Sequence, residues 1–205
     1  MISRQNPIYP KNWKEDFLKQ PENSWFCDIP DDYIIESFNL TGLEDKFSYF
    51  DQELQVLINK KSITKLANSI RETVWNELPI LYGSIHARFI ISPDGINQVK
   101  EKYNRREYGF CPRISCNKEP LLPIGITSEL KKNRVKGFCP KCRGVYRPNP
   151  VVEIDGGFFG PNCPHILVEE LNLRGKYREY KPYVRSAFGY HVYDEKIHGA
   201  DNISN

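Results

Sequence analysis

The chain has 205 residues, enough for one generous domain or two small ones around a real hydrophobic core. Apolar types make up 40% and charged types 27%, and no apolar run approaches the ~18 residues that a membrane span needs. The net charge of +3 is uneven: residues 105–150 carry +8, against −3 before them and −2 after.

The opening "MISRQNPIYPKNWKEDFLKQ" lacks the apolar centre of a secretory leader. A reducing compartment, cytoplasm and nucleus, is therefore expected, and a disulfide framework is not. The first half then reads as helical. "IPDDYIIESFNL" should open with Asp31 as N-cap and set Tyr33, Ile34 and Phe38 on one face. "EDKFSYFDQELQVLI" spaces Phe47, Phe50, Leu54 and Leu57 at helical intervals. The next stretch repeats apolar residues at Ile70, Val74, Leu78, Leu81, Ile85 and Phe89, with Pro79 predicting a break or kink. Ser92 followed by Pro93 predicts an N-cap and a proline in the first turn of another helix. Beyond Glu107 the character changes. "GFCPKCRGVYRPNPVVEIDGGFFGPNCPHILVEEL" is crowded with glycine, proline and β-branched residues, and reads as short strands and turns.

Four of the six cysteines fall in this basic middle segment, as "CPRISC" and "CPKC", with 22 residues between the pairs. Two close thiol pairs on two tight turns suit a tetrahedral structural zinc site, and the intervening chain suits an antiparallel excursion and return. Cys111, Cys116, Cys139 and Cys142 are the expected ligands. Four thiolates leave no open coordination position, so the metal would be structural. A redox dithiol at "CPKC" is the alternative, but such motifs open a helix, whereas "RGVYRP" follows here. Cys27 and Cys163 read as small buried hydrophobes, and His86 and His165 as structural histidines rather than ligands. "GGFFG" lacks the spacing of a phosphate loop, and kinase signatures are missing, so the chain is not expected to be an enzyme.

Several long motifs occur together and in order: "WFCDIPDDYIIESFNLTGL", "LYGSIHARFIISPDGINQVKEKY", "YGFCPRISC", "PLLPIGI", "FCPKCRGVY" and "DGGFFGPNCPHIL". Over about residues 24–190 the chain resembles the casein kinase II regulatory (beta) subunit family. The resemblance implies an α+β protein: an α-helical domain at 1–105, a zinc-ribbon dimerisation domain at 106–180, and an extended tail at 181–205. It also implies a homodimer through the ribbons, carrying two catalytic alpha subunits and steering their choice of substrate proteins. The four cysteines match the family's zinc ligands. Pro112, Ile114, Ile126 and Val145 fall where the family's ribbon–ribbon contact has its apolar core. "VRSAFGYHV" places Phe188 and Tyr190 at the segment that docks the catalytic subunit, with one extra residue before them. Two departures stand out. Ser3 precedes "RQNP" where the family has serines followed by acids, and "INKKSITKLANSI" carries three lysines where it has an acidic loop.

The reading from a different class is a nucleic-acid-binding zinc ribbon, motivated by the +8 segment. Four thiolates and one zinc ion together contribute about −2, leaving about +6. A basic ribbon of that charge is more simply a solvated face, so nucleic acid is not the expected partner.

Overall fold

The computed structural model describes residues 9–177 and 186–192. The expectations for Ser3 and for most of the tail at 181–205 lie outside the described residues. No helix among the described residues is long and apolar enough to cross a membrane.

The helical part comprises α1 (Trp13–Lys19), α2 (Asp31–Ile35), α3 (Ser37–Leu40), α4 (Phe50–Leu57), α5 (Asn68–Phe89) and α6 (Pro93–Asn104). The long helix α5 is its axis. Val74, Leu78, Leu81, Tyr82, Ile85 and Phe89 recur at helical spacing and are completely buried. Trp13, Phe17 and Phe26 pack around Tyr82, whose hydroxyl donates to the Cys27 carbonyl at 2.6 Å and accepts from Ile29 N–H. Pro79 does not break α5. The proline has no N–H for the carbonyl four residues back, but Val74 and Leu78 before it and Leu81 and Tyr82 after it are all held in the core. Ser92 caps α6 as expected, accepting from Gly95 N–H with Pro93 in the first turn.

Asp31 departs from its expected role. It is the first residue of α2, behind Pro30 as N-cap, and its carboxylate is taken by Lys14 at 2.5 Å. Phe38 departs too. The helix is interrupted at Glu36, which resets the phase, and Phe38 ends 81% exposed while Ile34 is buried.

After Asn104 the chain forms a three-stranded antiparallel sheet of β1 (Leu122–Ile124), β2 (Lys136–Phe138) and β3 (Val145–Tyr146), in that order. Leu122 pairs with Phe138, and Phe138 with Val145. Past the sheet, the segment expected to be wholly strands and turns contains a helix, α7 (Cys163–Glu170), followed by α8 (Leu173–Lys176). The glycine- and proline-rich run before it obscures the start. Pro164 is tolerated there because it stands in the first turn, and Cys163, Pro164 and Leu167 turn inward.

The helical part and the sheet are not separate bodies: one apolar cluster runs from Trp13 to Leu173. "GGFFG" makes the joint. Phe158 lies so close to α5 that a Cβ on Gly83 would sit 2.3 Å from its ring, and one on Gly125 would sit 1.9 Å from the Gly156 carbonyl oxygen. His86 completes it. Its Nε2 accepts from Cys27 N–H at 3.0 Å, so Nδ1 carries the proton and donates to the Phe158 carbonyl at 2.8 Å. Complete burial holds its pKa down to about 4, so the ring is a neutral strut.

Glu53 on α4 is fully buried and faces Glu77 on α5, whose carboxylate accepts from the backbone N–H and hydroxyl of Ser48. Burial, and then the Glu77 carboxylate beside it, push the Glu53 carboxyl up to about 8. A raised acid pKa means that the folded state binds the extra proton, so stability falls as pH rises from about 4.5 through about 8. Glu53→Gln, which stays neutral, is expected to raise the melting temperature at pH 8.5 and flatten its decline between pH 6 and 8.5. Melting curves of both proteins across that range check it; parallel curves would count against a protonated Glu53.

The residues at 186–192 form a hairpin of β4 (Ser186–Ala187) and β5 (Tyr190–His191). Its two turn residues, Phe188 and Gly189, have φ of 53° and 84°, the pattern of a tight hairpin turn with both central residues left-handed.

Candidate metal centre

Each cysteine pair is set by a tight turn. Cys111 N–H donates to the Glu119 carbonyl at 2.8 Å, and a 3-10 turn over Ile114–Cys116 brings the second thiol back. Asn117 and Lys118 then reverse the chain through the left-handed region, φ 53° and 54°. On the other side Cys139 leaves β2, donates its N–H to the Gly144 carbonyl and accepts from Arg143 N–H, with Arg143 left-handed at φ 56°. The 22 residues between the pairs hold β1 and the whole of β2, so the antiparallel pairing carries one turn back to the other.

The four sulfur atoms lie within 4.8 Å of one another, with Cys111–Cys142 at 3.8 Å and Cys116–Cys139 at 4.0 Å across the pairs. A tetrahedral site with metal–sulfur bonds of about 2.3 Å has sulfur–sulfur edges of about 3.8 Å, so the donor set fits a metal ion. The electrostatics agree. Burial pushes the Cys139 thiol well up. At Cys142 burial acts the same way, but the Tyr146 hydroxyl, the Gly144 N–H and the neighbouring thiols outweigh it and bring the group down to about 7. Four thiols this close cannot all ionise unless a cation neutralises them. Tyr146, with its hydroxyl 3.1 Å from Cys142 Sγ, is a member of the site that sequence reasoning missed. Only its position four residues after Cys142 hinted at it.

All four expected ligands are therefore together, and Cys27, Cys163 and both histidines of interest are elsewhere. Cys27 and Cys163 are buried free thiols. His165 is an exposed residue of α7 beside the Phe138 ring.

The four apolar residues next to the site face outward. Ile114 is 98% exposed, Ile126 and Val145 are about half as exposed, and Pro112 is exposed. Phe110 is exposed as well, with the Arg106 guanidinium over its ring, and nothing in the spacing had singled it out. On the hairpin Phe188 and Tyr190 are 101% and 80% exposed, so neither is buried among the described residues.

Fold and site together define an α+β protein whose small antiparallel ribbon ends in a four-cysteine knuckle that could hold a metal ion. Residues 12–191 match the family model described as casein kinase II regulatory subunit. The chain is 33% identical over 183 residues to casein kinase II subunit beta of Schizosaccharomyces pombe, covering 88% of this chain and 79% of that protein. It is 33% identical over 195 residues to casein kinase II subunit beta′ of Drosophila melanogaster, covering 94% and 89%. A Neurospora crassa casein kinase II subunit beta-2 is 30% identical over 94% of this chain and 68% of its own length. The chain belongs to the casein kinase II regulatory subunit family, a non-catalytic family.

Proposed function

We propose that this chain is a zinc-dependent homodimeric scaffold that assembles two casein kinase II catalytic alpha subunits, stabilises them and modulates their choice of substrate proteins in cytoplasm and nucleus. Four thiolates with no oxygen or nitrogen donor favour zinc among the common cellular divalent ions. With all four positions taken by protein, the ion supplies structure and no Lewis-acid chemistry: it holds two turns together at the end of a small sheet. Pro112, Ile114, Ile126 and Val145 would then meet their copies on a second ribbon. A ribbon this small buries little alone, and pairing two apolar faces buries more.

The observation that carries the kinase-docking part is the complete exposure of Phe188 at the tip of a hairpin. An aromatic in the left-handed region costs on the order of 1 kcal/mol or more, and a fully exposed ring recovers none of that from the described residues. A partner surface would recover it. Co-purification from native extract tests the proposal: a casein kinase II catalytic chain should accompany this one in equimolar amount. Its absence from a zinc-loaded, dimeric preparation would reject the docking role.

The basic ribbon is expected to touch nucleic acid only weakly. Phosphate contacts alone give Kd values of about 10⁻⁴–10⁻⁶ M at physiological salt, and the affinity falls steeply as salt rises. A salt series with random duplex DNA checks this, and nanomolar sequence-selective binding would put nucleic acid ahead of the kinase as partner.

A further inference from the structure

Glu119 lies where three parts of the molecule meet. Its carbonyl accepts the Cys111 N–H, so its backbone belongs to the metal knuckle. Its carboxylate is only 13% exposed. The same oxygen, Oε1, accepts the hydroxyl of Tyr103 from α6 at 3.0 Å and the hydroxyl of Tyr177 from the end of α8. Lys176 approaches that oxygen to 4.0 Å while its ammonium lies 4.9 Å from the centre of the Tyr177 ring. Burial first, and then Glu119 itself, push both phenol pKa values up, so both hydroxyls remain donors at any physiological pH.

This placement has a mechanical consequence. Tyr177 is the last described residue before the exposed hairpin, and residues 178–185 separate the two. That stretch can reach at most about 30 Å. Holding Tyr177 therefore confines Phe188 and Tyr190 to a limited volume around the knuckle, which raises their effective concentration at any partner seated nearby. An apolar contact would also retain Tyr177. A largely buried carboxylate shared by two phenols from different elements adds direction, because each hydrogen bond requires its own angle.

We propose that Glu119 is a positioning residue: it fastens the origin of the C-terminal segment to the metal knuckle and the helical body, and so sets where the Phe188–Tyr190 hairpin is presented to the catalytic subunit. The inference rests on the reading above that this hairpin docks the kinase.

The test titrates the catalytic subunit into the full-length, zinc-loaded dimer by calorimetry. Four variants are compared with the parent: Glu119→Ala, Glu119→Gln, Tyr177→Phe, and the double change Phe188→Ala, Tyr190→Ala. Glu119→Ala should weaken binding by about tenfold or more, a difference of about 1.4 kcal/mol. Glu119→Gln should stay within about threefold of the parent, because the amide oxygen still accepts both hydroxyls. Tyr177→Phe, which removes one hydroxyl and leaves the ring, should fall between them. Zinc content and dimer mass should be unchanged in all of them. Hydrogen exchange at residues 173–192 should quicken in the alanine variant and not in the glutamine variant. Parent-like affinity in Glu119→Ala, beside weak binding by the double aromatic variant, would overturn the positioning role and leave the docking reading standing. Parent-like affinity in the double variant would overturn the docking reading, and the inference with it. Loss of zinc or of the dimer in Glu119→Ala would also overturn it, since the residue would then be holding the knuckle itself.

Discussion

Cys139→Ser is expected to abolish zinc binding, unfold the ribbon and leave the chain monomeric. Cys139 is completely buried at the end of β2, with its sulfur 4.0 Å from that of Cys116. A serine hydroxyl does not ionise near neutral pH and is a poor ligand for zinc, so three thiols would remain around an incomplete site. At the knuckle end the ribbon has little of its own to hold it. Its strands have three, three and two residues, and its inward side chains are few: Leu121, Leu122, Ile124, Val135 and Phe138. A structural zinc site contributes about 10–16 kcal/mol of apparent binding free energy. The net stability of a whole domain is about 5–15 kcal/mol, so no other feature of so small a sheet can replace the metal. Metal analysis of the parent should return one zinc per chain, and light scattering should show dimers that a strong chelator converts to monomers. Less than half a zinc per folded parent chain would sink the assignment.

The double change Phe188→Ala, Tyr190→Ala should weaken binding of the catalytic subunit by at least about thirtyfold and leave dimer mass and zinc content untouched. Aromatic anchors bury much area for little lost rotamer entropy, and truncating one at the centre of an interface costs about 2 kcal/mol or more. Two such losses exceed the roughly 2 kcal/mol that thirtyfold requires, even with partial overlap between them. Both rings are exposed on the hairpin, and neither residue belongs to the metal knuckle or to the apolar group around Ile114. Calorimetric titration with the catalytic subunit, beside light scattering of the variant, separates the two effects. Unchanged affinity, or a variant that falls to monomers, would reject the division of labour between tail and ribbon.

The cluster of four cysteines was legible in the sequence because its chemistry is local. Two thiols on one tight turn declare themselves by spacing, and the glycine, proline and β-branched residues around them declare turns and short strands. The same holds for α6, where Ser92 and Pro93 act through the first turn alone, and for the buried stripe of α5 from Val74 to Phe89, whose period is a property of one helix. The misreadings share a different cause. Asp31 should cap a helix by local rules, but Lys14, seventeen positions earlier, takes its carboxylate. Phe38 has the right spacing for the core, but the interruption at Glu36 turns it outward. Pro79 should break α5, but burial on both sides of it holds the helix together.

By itself, then, the sequence determined the two cysteine pairs that come together, the change from helices to short strands after Asn104, and the period of the principal helix. Each follows from interactions within a few residues, which spacing and side-chain type express directly. Only the tertiary structure decided how those parts are joined. The neutral His86 between Cys27 and Phe158, the close seat of Phe158 on Gly83, and the Glu119 carboxylate between Tyr103 and Tyr177 all unite residues far apart in the chain. No local pattern encodes such meetings, because their energy comes from excluding water between surfaces that exist only once the chain has folded.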